Sequence, residues 1–308
     1  MTAHITVVGS LNMDLIVRAP RIPQPGETII GSGFHVAPGG KGANQAVAAA
    51  RLGAQVSLVG RVGQDSFGTG LLANLREAGV DHTYVTQDPD AASGVALIEV
   101  DDAGQNSIIV ASGANMRLSP ADVEAAEAVI VGADILLLQL ESPLETVTRA
   151  AQLARAHQVT VILNPAPAQT LPVELLSAVT ILLPNESETT ILTGLPVGDQ
   201  SEIEAAGARL RDLGVETLIL TLGERGAMRV TAGGNQLFPT FKVTPVDTTA
   251  AGDAFVGGLA VALAEGLSLP EAIRWGNAAG ALATTKLGAQ PSLPTRQTLE
   301  ALLGEKEN

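Results

Sequence analysis

Asp247-Thr248-Thr249-Ala250-Ala251-Gly252-Asp253-Ala254-Phe255 leads into a run, Phe255 to Ala264, that is apolar, uncharged and interrupted only by Gly257 and Gly258. The pattern predicts a buried helix starting near Gly252. The first backbone N–H groups of a helix have no partner within it. Small side chains at Ala250, Ala251 and Gly252 leave those groups open to a ligand, and the helix dipole adds positive potential there. The stretch therefore makes an anion site and sets a carboxylate, Asp253, inside it. Such a carboxylate either caps the helix or takes a proton from a reacting group, and capping is the commoner role.

Upstream of this helix, strand-like and helix-like segments alternate. Ile5–Gly9, Val56–Val59, Ile135–Leu138, Val159–Leu163, Thr180–Leu183 and Leu218–Leu220 are short, apolar and free of charge, as strands buried on both faces are. Ala43–Leu52, Phe67–Ala78, Leu144–Ala156, Glu186–Leu192 and Ile203–Leu213 carry helical spacing. Ser119 and Pro120 mark a further helix start. The order predicts an α/β fold, a parallel sheet with helices on both faces. Two regions lack helices: Leu15–Phe34, and the Gly94–Val100 and Ser107–Val110 pair around the Asp101–Gly104 turn. They are expected to pair as a small β-layer over a cleft or a partner subunit. The tail Gly304–Asn308 is expected to fray.

The 308 residues carry a net charge of -14, with 46% apolar and only 2% aromatic residues, so the core is aliphatic and long enough to bury most of its apolar surface. The negative balance argues against nucleic acid and anionic membranes as partners. The absence of cysteine excludes disulfides, thiolate metal sites and a Cys nucleophile. His4, His35, His82 and His157 are scattered, with no zinc-hydrolase spacing, and there is no Gly-x-Ser-x-Gly elbow. No export signal and no apolar run near the ~20 residues of a membrane span is seen, so a cytoplasmic protein is expected.

In open α/β sheets ligands bind beyond the carboxyl ends of the strands. Polar groups recur there: Asn12 and Asp14, Gln139 and Glu141, Asn164, Asn185 to Glu188, and Thr221 to Gly226. Each alone reads as a cap or turn, and the recurrence favours a site. Pro38-Gly39-Gly40-Lys41-Gly42-Ala43-Asn44-Gln45 is a glycine-rich turn entering a helix, without the spacing of a Walker A loop. Its glycines permit close backbone approach, and Asn44 offers a donor and an acceptor to a polyol. Gly68-Thr69-Gly70-Leu71-Leu72-Ala73 resembles a dinucleotide fingerprint by letters, but it follows Asp65-Ser66-Phe67 and no strand is expected directly before it.

These segments, in this order, resemble the PfkB family of sugar kinases, and its ribose-phosphorylating branch most closely, from about Ile5 to Ser292. Gly39-Gly40-Lys41-Gly42-Ala43-Asn44-Gln45 and Asp247 to Asp253 carry the likeness most specifically. Further matches are Gly9 to Asp14, Leu140 to Leu144, Asn164 to Ala168, Pro184-Asn185-Glu186, Thr221-Leu222-Gly223 and Gly288 to Ser292. The resemblance implies one doubly wound, mostly parallel α/β domain over 1–308, with a small β-sheet lid near residues 12–36 and 94–111, often closed through a homodimer. It implies ATP-dependent phosphorylation of D-ribose at O5, or of deoxyribose, fructose or a nucleoside in other branches. Asn12, Asp14, Gly40, Lys41, Asn44 and Glu141 would line the sugar site, Asn12 being the main discriminator. Asp253 would be the base, with the N–H groups of the Ala250, Ala251 and Gly252 turn and of Asp253 around the transferred phosphoryl. Asn185, Thr221, Gly223, Gly226, Gly252 and Asn277 would bind ATP. Glu188, with Glu186, would hold Mg2+ through its waters. Asp247, Ser292 and carbonyls of Thr249, Ala283, Lys286 and Gly288 would hold K+.

Overall fold

The computed structural model describes residues 2–231 and 233–304. Among these described residues thirteen strands form two sheets. The larger contains β1 (His4–Val8), β4 (Gln55–Gly63), β5 (Asp81–Asp88), β8 (Ile135–Leu138), β9 (Thr160–Leu163), β10 (Ile181–Leu182), β11 (Thr217–Thr221), β12 (Ala227–Thr231) and β13 (Gly234–Phe238). Its order is β13-β12-β11-β10-β9-β8-β1-β4-β5, parallel from β11 to β5 and antiparallel at β12 and β13. The smaller sheet has the order β3-β2-β6-β7, from β2 (Asn12–Arg18), β3 (Gly33–Gly39), β6 (Gly94–Val100) and β7 (Asn106–Ala111).

The parallel strands alternate between two aliphatic cores. Ile5, Val7, Ile135, Leu137 and Ile219 face one side, under the helices Lys41–Arg51, Ser66–Glu77, Ala251–Ala264 and Leu269–Ala283. Val8, Leu136, Leu138, Leu218 and Leu220 face the other, under Pro120–Ala125, Leu144–Ala156 and Gln200–Asp212. The Ala251–Ala264 helix is buried almost throughout. A Cβ at Gly257 would lie 2.6 Å from Ala48 Cβ, and one at Gly258 would lie 2.9 Å from Ala279 Cβ. The two glycines let this helix press against a neighbour on each side, which locks its N-terminus in place.

Several expectations need correction. The lid pieces pair as a separate sheet, but Ala19–Ser32 between β2 and β3 is not strand, and β3 continues to Gly39. Strands β5, β12 and β13 and the Leu269–Ala283 helix were not expected. β4 runs on to Gly63, so the Gly68–Ala73 stretch does follow a strand closely. The dinucleotide reading still fails: Asp65 caps the helix through the Gly68 N–H, and Gly68 and Gly70 lie inside its first turns rather than in an open loop. The expected fraying past Gly304 falls outside the described residues, and Gly304 itself ends the Arg296–Gly304 helix.

Candidate active site

All strands from β1 to β11 in the large sheet point the same way, so their carboxyl ends share one edge. At that edge the Ala251–Ala264 helix begins. Ala250, its N-cap, has φ 59 and ψ 11, a left-handed conformation that costs a non-glycine residue of order 1–3 kcal/mol. The turn sends the Ala251 N–H to the Thr248 carbonyl (3.2 Å) and the Ala254 N–H to Ala250 (2.9 Å). Among the described residues no acceptor meets the N–H groups of Gly252 and Asp253. Two donors at a helix N-terminus are thus free for an anion, and the Ala251 N–H is not one of them.

The Asp253 side chain does not cap this helix. It is 6% exposed, and its Oδ2 accepts from Asn44 Nδ2 and its Oδ1 from Gln45 Nε2, each at 3.0 Å. Gln45 also donates to Asn164 Oδ1 (3.2 Å) and accepts from Gln139 Nε2. Burial pushes the Asp253 carboxyl up from its ordinary range, and Lys41, Asn44 and Gln45 pull it only partly back. A carboxylate held by amides rather than fixed in an ion pair keeps enough basicity to accept a proton.

Glu141, beyond β8, gathers the opposite wall. Its Oε2 accepts from Ser10 Oγ (2.5 Å), the Lys41 N–H (3.1 Å) and Asn12 Nδ2 (3.4 Å). Gly40 has φ 89, and a Cβ there would lie 2.6 Å from the Asn12 nitrogen, so only glycine lets the turn close on β2. Burial disfavours the Lys41 ammonium, but Asp253, Glu141 and Glu188 outweigh it and lift its pKa. Burial, then Glu141 and Asp253, push the Asp14 carboxyl up to about 7. Asn12 and Asp14 lie on one face of the small sheet, Asp14 beside Ala96 of β6, which in turn pairs with Val110 of β7. Asn12, Asp14, Gly40, Lys41, Asn44, Glu141 and Asp253 therefore meet around one cleft. Among the described residues the buried Asn44 Oδ1 atom has no partner, which fits hydroxyl-rich company.

A second cluster lies at the ends of β10 and β11. Asn185 bridges to Thr221 and caps the Glu186–Thr193 helix, its N–H and Nδ2 both donating to Glu188. Burial raises the Glu188 carboxyl, opposed by the Asn185 N–H and Lys41. Glu186 pairs with Arg225 at 2.5 Å. Gly223 and Gly226 have φ 54 and 96, and a Cβ at Gly226 would strike the Phe238 carbonyl. Asn277 spends its amide nitrogen on the Phe238 and Pro239 carbonyls (3.0 and 3.2 Å). Beside the anion corner, Asp247 Oδ1 accepts from the Thr249 N–H (2.9 Å) and hydroxyl (2.6 Å), and Oδ2 from the Gly288 N–H (2.8 Å). Burial would raise that carboxyl, but these donors hold it below the ordinary range.

The family profile described as pfkB family carbohydrate kinase matches residues 2–296. The chain belongs to the PfkB family of carbohydrate kinases. It is similar to the ribokinase of Haemophilus influenzae, 47% identical over 303 residues that cover 98% of this chain and 99% of that protein. It is also similar to the ribokinase of Bacillus subtilis, 44% identical, covering 97% of this chain and 99% of that one. The structure of Arabidopsis thaliana ribokinase complexed with ribose and ATP superposes with a TM-score of 0.91 at 36% identity, covering 99% of this chain and 100% of that one. The doubly wound sheet with its small separate sheet is thus the fold of this PfkB kinase. Gln45, Ser10 and Asn115 were not singled out from the sequence, and Gln139 only as one of the polar groups beyond the strand ends. Gln45 was readable as part of the glycine-rich turn, but its bond to Asp253 spans 208 residues and has no local signal.

Proposed function

We propose that this chain acts as a ribokinase, transferring the γ-phosphoryl group of ATP to O5 of D-ribose. The observation that carries the reading is Asp253: buried, raised in pKa, held by Asn44 and Gln45, and set beside the free N–H groups of Gly252 and Asp253. Full-length likeness to ribokinases supports the choice of sugar. Asn12, Asp14, Gly40, Lys41, Asn44 and Glu141 bind the sugar hydroxyls. Asp253 takes the proton of the 5-hydroxyl as O5 attacks phosphorus. The O5–P bond forms, the bond from phosphorus to the bridging oxygen breaks, and ADP leaves with that electron pair. The two free N–H groups and the Lys41 ammonium meet charge on the transferred group. Phosphoryl transfer needs such in-line placement and charge stabilisation more than covalent help. Asn185, Thr221, Gly223 and Gly226 form the ATP side. Asn277 shapes that side by holding Phe238 and Pro239.

The residues around Asp247 fit a monovalent cation. No hydrogen bond among the described residues reaches the carbonyls of Thr249, Ala283 and Lys286, while the Val246 and Asp247 N–H groups bond Thr284 (2.7 and 3.1 Å) and bring that strand of chain alongside. Those carbonyls, with Asp247, Gly288 and Ser292, would hold K+, which when bound supplies positive potential beside the anion corner. Glu188 would hold Mg2+ through its waters, in keeping with the few direct protein ligands that Mg2+ takes. Val17, Phe34, Val36, Leu97 and Ile109 are exposed on the lid, and burying them against a second copy would close the site as a homodimer; a monomer in sedimentation would remove that assignment. ATP use and charge both suit the cytoplasm.

A coupled ADP-release assay over ribose, 2-deoxyribose, fructose and nucleosides tests the reading. The highest kcat/KM is expected on ribose, and a nucleoside in that place would overturn it. Exchanging K+ for Na+ in the same assay should lower kcat several-fold with little change in ribose KM. Indifference to the exchange would remove the cation site.

A further inference from the structure

Asn115 lies in the short turn Gly113–Arg117 that follows β7, and it is 1% exposed. We infer that Asn115 is a positioning residue that decides which end of the Asn12 amide faces the sugar, and so sets the hydroxyl selectivity of the site. Its Oδ1 accepts the Leu11 N–H (2.9 Å), and its Nδ2 donates to the Leu11 carbonyl (3.0 Å). A peptide N–H can only donate and its carbonyl only accept, so this two-point clamp orients the Asn115 amide without ambiguity. Its Nδ2 also donates to Asn12 Oδ1 (2.8 Å). The oxygen of Asn12 is therefore occupied by a donor, and its nitrogen faces Glu141. Polarity passes from a backbone peptide through Asn115 to Asn12.

The result is a donor, Asn12 Nδ2, next to an acceptor, Glu141 Oε2. A hydroxyl can accept from the first and donate to the second; a sugar lacking that hydroxyl leaves both unpaired. The lid seals this pair. Gly94, the first residue of β6, pairs with Asn12, and a Cβ there would lie 2.2 Å from Asn12 Oδ1 and 2.3 Å from Asn115 Nδ2. A residue that only braced the turn against β2 would share this burial but would affect all sugars alike.

The inference rests on reading the cleft as a sugar-hydroxyl site, and a double-mutant cycle separates the two. Asn12→Ala, Asn115→Ala and the double variant are assayed on the sugar the parent uses best and on its 2-deoxy analogue. Asn115→Ala is expected to raise the ribose KM by about tenfold, to leave kcat and the ATP KM within about twofold, and to narrow the preference for ribose over 2-deoxyribose. Added to Asn12→Ala, it should change KM by less than about twofold, because neighbours that act through one another are not additive. Asn115→Asp keeps the size but sets a carboxylate against the Leu11 carbonyl and Asn12 Oδ1. It should turn the Asn12 amide over and raise the ribose KM further than alanine does, with a thermal melt confirming the fold. Equal losses on both sugars, or an Asn115 effect of the same size with and without Asn12, would overturn the assignment. A parent that prefers another sugar would sink the ribose reading, while the cycle on that sugar still decides the role of Asn115.

Discussion

Asp253→Asn is expected to lower kcat by about 10²–10⁴-fold, the usual contribution of a positioned general base, while the ribose dissociation constant changes only a few-fold. The fold should tolerate the exchange for a reason visible in the hydrogen bonds. Asp253 accepts from two amides, so a new NH2 group would at first face a donor. Asn44, however, has a buried Oδ1 with no partner. Turning the Asn44 amide over presents that oxygen to the new NH2, while Gln45 still donates to the retained oxygen. Gln45 itself cannot turn without losing its bonds to Gln139 and Asn164. The Gly252 and Asp253 N–H groups are untouched, so the residual rate reports charge stabilisation without the base. Burial raises the Asp253 carboxyl, so a neutral amide should not reduce thermal stability at neutral pH. Single-turnover kinetics with calorimetric ribose binding would check both halves. A variant within tenfold of the parent in kcat would remove Asp253 as the base, and one that no longer bound ribose would make its role structural.

How far the sequence could be read follows from where each element sits. The strands expected from unbroken apolar runs, β1, β4 and β8 to β11, are the central strands, covered on both faces. The three that were missed, β5, β12 and β13, are the two ends of the large sheet. Among the described residues β5 and β13 each have a strand on one side only, β12 carries Arg229, and Asp81-His82-Thr83 or Asn235-Gln236 interrupt any apolar run. The Ala251–Ala264 helix was legible because burial on nearly every side leaves an uncharged sequence. The Leu269–Ala283 helix carries a Ser268 and Glu271 capping box that would have marked its start. Site residues at strand ends were legible because a parallel sheet gathers those ends by topology alone. Gln45 and Asn115 were not, because they act on Asp253 and Asn12 through contacts spanning 208 and 103 residues.

Asp14→Asn should weaken ribose binding by roughly 10- to 100-fold and yet stabilise the unliganded enzyme above neutral pH. Asp14 is 7% exposed, and no donor among the described residues reaches its carboxylate. Gly39 lies flat against it, where a Cβ would sit 2.3 Å from Oδ2. The missing donors are the sugar's to supply, and losing a charged acceptor costs about 1.5–3 kcal/mol per bond. Without sugar, burial, then Glu141 and Asp253, push the carboxyl from 3.8 to about 7. The sign follows. Between those values the folded chain keeps a proton that the unfolded chain has released. Stability therefore falls as pH rises through that window, by a ceiling on the order of 4 kcal/mol, and the loss is complete above about 7. An asparagine carries no such proton. Urea midpoints at pH 5 and 8.5 should decline more in the parent than in Asp14→Asn, and parallel declines would refute the raised pKa. Ribose reverses the bias, because its hydroxyls favour the ionised form. Binding below pH 7 should then expel a proton, detectable by calorimetry in buffers of different ionisation enthalpy, and parent affinity should rise with pH up to about 7 and level off. In Asp14→Asn that pH dependence should vanish. If it persists, the proton belongs to Asp253, whose carboxyl burial also raises, and Asp14 shapes the cleft without setting its charge.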